Sequence, residues 1–184
     1  MSVARTAWHF IEDGDQRLMR RVHRWRAPRF IRVWMILATR LGDGWIWCSL
    51  GVVLVLFGGP QRYAAVASAT AAAIAGIMLF SVIKKVSRRQ RPCEIERHCW
   101  SRILPPDQFS FPSGHSIVAF AVAVSVAHFY PALGGALLFM AVSVAVSRVI
   151  LGMHYVSDVL VGSMIGVLLA CVSFCLFQQT CFRT

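Results

Sequence analysis

Five apolar stretches recur between positions 43 and 177 of this 184-residue chain, each bounded by polar, charged or turn-forming residues. They run over 43–58, 64–83, 116–130, 133–151 and 159–177. A helix rises about 1.5 Å per residue and the hydrocarbon core of a bilayer is about 30 Å thick, so these stretches read as spans, some of them short. Backbone groups in lipid must satisfy one another, and a helix does this within one segment. The expectation is an all-α fold, a polytopic transmembrane helical bundle. Composition agrees: 57% of residues are hydrophobic and 15% charged, and the mean hydropathy of +0.62 exceeds that of soluble domains. The length suits one domain.

The residues before the first span behave differently. Arg17, Arg20, Arg21, Arg24, Arg26, Arg29, Arg32 and Arg40 crowd positions 14–41, and one arginine at mid-bilayer costs about 2.5 kcal/mol or more. Leu18, Val22 and Trp25 share a helix face, with the arginines mostly elsewhere around it. This predicts an N-terminal interfacial amphipathic helix, ended by Pro28, and a second short interfacial helix over Phe30 to Leu41. The expected organisation is a basic helical arm over 1–41, a transmembrane domain over 42–178 and a short tail over 179–184. Trp8 to Ile11 is too short an apolar cluster for a signal peptide and is followed by Glu12 and Asp13.

Within the spans, Trp45 and Trp47 mark an interface, and the Ala- and Gly-rich 64–83 segment allows close helix packing. Gly162 and Gly166 have a GxxxG spacing, compatible with a homodimer contact but better suited to packing inside the chain. Cys48, Cys171 and Cys175 lie in apolar stretches and read as small core residues. Cys93 and Cys99 share a polar loop, where free thiols and a disulfide are both open readings.

The net charge is +11, from 19 basic and 8 acidic residues. No nucleic-acid-binding motif accompanies it, so the charge points to anionic lipid headgroups and an anionic substrate. Loops 59–63 and 130–132 are short and fall on one side of the membrane; the arm, 84–114 and 152–158 fall on the other. That second side holds nearly all the charge.

Three clusters end spans on that side. Lys84 is followed after six residues by Arg91-Pro92; then comes Pro112-Ser113-Gly114-His115; then Ser147-Arg148, His154 and Asp158. An arginine inside an apolar stretch, as Arg148 is, marks a functional site by default. Lys84, Arg91 and Arg148 would repel one another at a common depth, and a bound phosphate would relieve that repulsion. His154 and Asp158 stand four apart, on one face of a helix that starts there. A carboxylate accepting from one ring nitrogen leaves the other as a lone-pair nucleophile. His115 follows a Pro-Ser-Gly turn at a helix start, where Ser113 and backbone N–H groups can hold an anion. It is placed to act as a general acid.

These residue types assemble a phosphoryl-transfer site. Cations stabilise charge on the phosphoryl oxygens, His154 attacks, His115 protonates the leaving oxygen, and water then hydrolyses a phosphohistidine. Arg and Lys supply the positive charge, there is no carboxylate cluster, and neither a metal nor another cofactor is expected.

The three clusters resemble the signature of the type 2 phosphatidate phosphatase superfamily, which includes vanadium haloperoxidases and bacterial undecaprenyl-diphosphate phosphatases. It reads here as K-KVSRRQ-RP, PSGH and SR-VILGM-H-YVS-D, over residues 84–158. The resemblance implies that Lys84, Arg91, Ser113, Gly114 and Arg148 bind phosphate, with His115 the acid, His154 the nucleophile and Asp158 its partner. Members of the family typically have six spans, against five plus an arm here.

The implied function is an integral membrane phosphatase acting on a lipid phosphate monoester or diphosphate: phosphatidate, phosphatidylglycerophosphate or undecaprenyl diphosphate. The alternative is a catalytically inactive membrane protein that only binds lipid phosphates. A soluble haloperoxidase is at odds with the spans, and a transporter would thread its charges through several of them. The expected partners are the lipid-phosphate substrate and membrane lipids. The expected location is a bacterial inner membrane. The positive-inside rule directs the catalytic side toward the cytoplasm, whereas the family's undecaprenyl-diphosphate members act on the outer side.

Overall fold

The computed structural model describes residues 3–25, 27–95 and 108–181. Its helices are α1 (Val3–Arg24), α2 (Arg29–Leu41), α3 (Trp45–Phe57), α4 (Arg62–Ser87), α5 (Pro92–Ile95), α6 (Gly114–Phe129), α7 (Gly134–Ile150) and α8 (Val156–Cys181), with single 3₁₀ turns ahead of α4 and α7. Among the described residues there is no strand. The protein is a polytopic helical membrane bundle.

The punctuation is local chemistry. Pro28 separates α1 from α2, and Gly44, at φ 118°, supplies a left-handed residue between α2 and α3. Proline stands in the turns before α4 and α7, second in one as Pro60 and first in the other as Pro131. Among the described residues, three helical segments are long and apolar enough to cross a membrane: Gly59–Ile95, Pro131–Ile150 and Val156–Gln178. The helix expected over Phe30 to Leu41 is α2. Arg29–Leu41 and Trp45–Phe57 form a pair bent by 61° that together has the length and apolarity of one span. Phe30, Val33 and Leu37 face outward from α2, while Met35, Ala38 and Thr39 are buried, and α2 packs on α7.

α6 is the centre of the bundle, packed against α4, α7 and α8. Nine of its sixteen residues are buried, which is why it shows no polar stripe. At about 24 Å it is shorter than the bilayer core and is an apolar helix below the length of a span. Three glycines let those neighbours close on it. A Cβ on Gly162 would come 2.7 Å from the Ser113 carbonyl, one on Gly166 2.5 Å from the Ile117 carbonyl, and one on Gly76 2.5 Å from the Ile117 side chain. The GxxxG pair is thus occupied by α6 within the chain.

α1 is amphipathic in two ways, with an apolar Leu18–Val22–Trp25 face and a separate stripe turned toward the bundle. Asp15 and Met19 are buried, whereas Leu18 and Trp25 are exposed beside the outward Arg17, Arg20, Arg21 and Arg24. Spacing alone does not separate a lipid-facing stripe from a protein-facing one. For the same reason the expectation that Cys48, Cys171 and Cys175 are core residues is corrected: all three are exposed on outer helix faces. Cys93 is half-buried, and Cys99 lies outside the described residues.

Candidate active site

The three sequence clusters are brought together by two tight turns. α4 ends at Arg88, a left-handed residue at φ 46° whose N–H caps the Lys84 carbonyl. The chain then runs extended, so alternate residues point the same way: Arg89 and Arg91 are buried while Arg88 and Gln90 are exposed. The second turn follows α7. Gly152 adopts φ 69°, and the N–H groups of Met153 and His154 both donate to the Arg148 carbonyl, at 3.0 and 3.1 Å. This turn explains the fixed spacing between Arg148 and His154. Cys93 N–H donates to the Gly152 carbonyl at 3.2 Å, tying the two turns together.

A cavity of about 660 Å³ opens between these turns and the α2–α3 bend. Six of the eight predicted site residues line it: Lys84, Arg91, Gly114, His115, Arg148 and His154. Lys84 is buried in the last turn of α4, its ammonium 5.0 Å from the centre of the Phe80 ring. Arg148, also buried, donates to the Thr39 hydroxyl of α2 at 2.6 Å.

Ser113 does not line the cavity. It is fully buried as the N-cap of α6, where its Oγ accepts from Ser116 N–H at 3.5 Å and Ser116 Oγ at 3.0 Å. The first-turn N–H groups of α6 have no partner inside the helix, so its N-terminus still offers an anion-binding end through Gly114 and His115.

His154, in the turn between α7 and α8, is 1% exposed. Its Nδ1 lies 2.7 Å from the carbonyl oxygen of Ser110. A carbonyl only accepts, so the proton sits on Nδ1 and the lone pair on Nε2. Nε2 receives Arg91 Nη1 at 3.2 Å, and the same Nη1 donates to the Met153 carbonyl at 2.7 Å. Burial pushes the His154 pKa down to about 3; Asp158 opposes that shift, while Arg91 and Arg148 reinforce it. The ring is a neutral imidazole at physiological pH, as a nucleophile needs.

Asp158 stands behind this ring and does not line the cavity. The direct carboxylate–imidazole hydrogen bond expected from the sequence is replaced by a relay. Nδ1 is 3.7 Å from Asp158 Oδ2. Ser110 bridges the gap, giving its hydroxyl to Oδ2 and its carbonyl to the imidazole. Tyr155 N–H also donates to Oδ2, at 2.8 Å, and Arg89 Nη1 donates to Oδ1 at 2.6 Å. The guanidinium paired with Asp158 is therefore that of Arg89.

On the cavity's open side, His115 Nε2 is 2.8 Å from Asp43 Oδ1. Asp43 sits on the bend between α2 and α3, between Gly42 and Gly44. Sequence reasoning missed Asp43, Arg89 and Ser110. Arg89 was hidden in a basic run, although its i, i+2 relation to Arg91 was available as a signal. An apolar groove of about 610 Å³ lies between α3, α4 and α6 and shares Gly44, Ile77 and Val118 with the polar cavity.

A membrane bundle with two histidines and three cations converging on one cavity defines a class, and comparison with known proteins agrees with it. Residues 63–181 match the model of the PAP2 superfamily. The chain belongs to that family. Among curated proteins it is 34% identical over 123 residues to a decaprenylphosphoryl-5-phosphoribose phosphatase of Mycobacterium tuberculosis, covering 65% of this chain and 67% of the other. It is 28% identical over 137 residues to a probable lipid phosphate phosphatase beta of Arabidopsis thaliana, covering 58% and 63%. It is 26% identical over 133 residues to an undecaprenyl-diphosphatase of Sulfolobus acidocaldarius, covering 72% and 64%. The chain thus spans 63% and 64% of the length of the last two. Among solved structures it superposes on a transmembrane PAP2-type phosphatidylglycerolphosphate phosphatase from Bacillus subtilis with a TM-score of 0.72 at 25% identity, over 92% of this chain and 87% of the other. LpxE of Aquifex aeolicus gives 0.71 at 26% identity, over 85% and 92%.

Proposed function

We propose that the chain is an integral membrane lipid-phosphate phosphatase working through a phosphohistidine on His154. The observation that carries this reading is the pair of contacts on His154, Nδ1 at the Ser110 carbonyl and Nε2 beside Arg91, which assigns the proton to Nδ1 and the lone pair to Nε2. Nε2 attacks phosphorus as the P–O bond to the lipid breaks. His115 gives its proton to the departing oxygen. Lys84, Arg91 and Arg148 carry the charge on the remaining phosphoryl oxygens, with the α6 N–H groups at Gly114. Water then adds to phosphorus, His115 accepts its proton, the P–N bond breaks with its electron pair returning to Nε2, and inorganic phosphate leaves. The cations supply the charge stabilisation that a metal gives elsewhere, so the reaction is proposed to be metal-independent.

The apolar groove below the cavity supports a lipid as the rest of the substrate, with its chain running between α3, α4 and α6. A phosphate monoester such as phosphatidate or phosphatidylglycerophosphate, or a prenyl diphosphate, fits this chemistry. The exposed arginines of α1 on the same side favour a cytoplasm-facing site in a bacterial inner membrane.

Phosphate release by purified protein over a panel of lipid phosphates, with and without chelator, tests the reading. Turnover that persists in chelator and vanishes in His154→Ala is expected. Equal turnover by that variant would remove the nucleophile, and a folded wild type that binds but never releases phosphate would make the protein a lipid-phosphate binder. Labelling of Cys93 in intact cells tests sidedness, since ready reaction with an impermeant reagent would put the site outside.

A further inference from the structure

α1 lies wholly outside the matched family region, yet it reaches the back of the active site. Asp15 is the only acidic residue of α1 that is buried, at 8% exposure, and its carboxylate points into the bundle. It does two things there. Its Oδ1 accepts the Ser157 N–H at 3.2 Å, and its Oδ2 accepts the Ser157 hydroxyl, so it caps the first turn of α8 from another helix. Oδ2 also takes Arg89 Nη2 at 2.7 Å.

Arg89 is thereby held from both ends. Nη2 is on Asp15, while Nη1 is on Asp158 at 2.6 Å and Ser157 Oγ at 2.8 Å. The guanidinium lies over the Tyr155 ring at 4.3 Å. The side chains of Arg89, Asp15 and Asp158 are 5%, 7% and 0% exposed. A guanidinium is a planar fork with little freedom once both edges are engaged. Here each edge meets a carboxylate in a buried site, where imperfect pairing is expensive.

We propose that Asp15 and Arg89 are positioning residues for phosphoryl transfer, and that α1 is a clasp aligning Asp158, and through Ser110 the imidazole of His154. This inference rests on the phosphatase reading. Asp15 lies on the far side of Asp158 from the cavity and touches no residue lining it that is given a phosphate-binding role. Its loss therefore lowers kcat and leaves substrate binding unchanged.

The test is steady-state phosphate release by the full chain in detergent–phosphatidate micelles, with His154→Ala as the blank. Residues that orient a metal-ligating histidine are worth about 10–100-fold; taking the same scale for an attacking histidine, Asp15→Asn is expected to lower kcat about tenfold and Arg89→Gln about a hundredfold, with KM constant. Residues acting as one unit are not additive, so the double variant is expected to match Arg89→Gln. Asp13→Asn, an exposed charge two residues away, is expected to keep wild-type kcat. Wild-type kcat in Asp15→Asn, or losses that multiply in the double variant, would overturn the clasp. If Asp15→Asn does not fold, Ser157→Ala removes the hydroxyl that joins Asp15 to Arg89 and is expected to lower kcat at constant KM. Wild-type kcat there would overturn the proposal equally. A wild type without turnover on any lipid phosphate sinks the phosphatase reading, and this inference with it; an active wild type beside an equally active Asp15→Asn sinks the clasp alone.

Discussion

The carbonyl oxygen of Ser110 stands 2.7 Å from Nδ1 of His154 and dictates which ring nitrogen carries the proton. Ser110 lies 44 residues upstream of the histidine, in the segment leading into α6. Its hydroxyl meanwhile goes to Asp158. One residue thus orients the imidazole and connects it to a buried carboxylate without a direct bond between them. The consequence is chemical: the lone pair that can form a bond to phosphorus is on Nε2, where Arg91 Nη1 now donates.

The first prediction concerns that bond. A phosphoenzyme trapped by rapid denaturation at alkaline pH should carry phosphate on Nε2 of His154. ³¹P NMR of the digested peptide distinguishes the two ring isomers. An Nδ1 adduct would mean that the ring flips before reaction and that Ser110 does not set the tautomer.

Arg91 serves two masters through one nitrogen, the Met153 carbonyl and His154 Nε2. It is also fully buried. Lysine carries the same charge but has no planar fork. Arg91→Lys should therefore lower kcat/KM about a hundredfold, in line with a lost charge-assisted transition-state contact of some 3 kcal/mol. Comparable activity in the two proteins would mean that charge alone suffices at this position.

The buried imidazole also links stability to pH. Its pKa falls from 6.5 to about 3 on folding, chiefly through burial. Between those values the unfolded chain holds a proton at His154 that the folded chain does not. Stability contributed by the neutral ring is present above pH 6.5 and is lost as pH falls toward 3. Thermal unfolding in detergent from pH 7.5 to 5 should show Tm falling more steeply for wild type than for His154→Asn. Parallel slopes would show that the ring is hydrated.

Helix contact sets the site's depth. A Cβ on Gly162 would lie 2.7 Å from the Ser113 carbonyl, a backbone atom at the start of α6. Gly162→Ala must therefore move α8 and α6 apart, at about 1–3 kcal/mol for overpacking. That shift would also move Gly114 and His115 relative to His154, so activity should fall in protein that is still folded. Gly135→Ala, with open space around its Cβ, is the matched control. Wild-type Tm and activity in Gly162→Ala would contradict the close approach.

The apolar helices were legible because apolar runs of this length have few other uses, though α6 falls short of a span, and the clusters at their ends were legible because Lys84, Arg91, His115, Arg148 and His154 are costly residues to keep there. What escaped was long-range or ambiguous in one dimension. Asp15 and Ser157 are 142 residues apart, and Asp15 sits among acidic neighbours in a helix whose spacing fits more than one inward face. Asp43 read as the polar boundary of a span, whereas the bend at Gly44 directs it onto His115. Ser113 was expected on the phosphate, but a serine before a helix is equally a cap, and here its Oγ accepts from Ser116 in that role.

The pair of His115 and Asp43, 2.8 Å apart at the open side of the cavity, allows the general-acid role to be separated from the nucleophilic one. Proton donation matters in proportion to how poor the leaving group is. A lipid alkoxide needs the proton; a p-nitrophenolate scarcely does. His115→Asn should therefore abolish phosphate release from phosphatidate, yet still give a burst of nitrophenol from p-nitrophenyl phosphate as His154 is phosphorylated. Turnover after the burst should be slow, because the same side chain is needed to activate water. Asp43→Asn removes the carboxylate but keeps the acid, so it should lower kcat on phosphatidate by about tenfold, less than the roughly 10²–10⁴-fold of the acid itself, and leave the burst intact. Equal losses on both substrates in His115→Asn would place this residue in phosphate binding and assign proton transfer elsewhere.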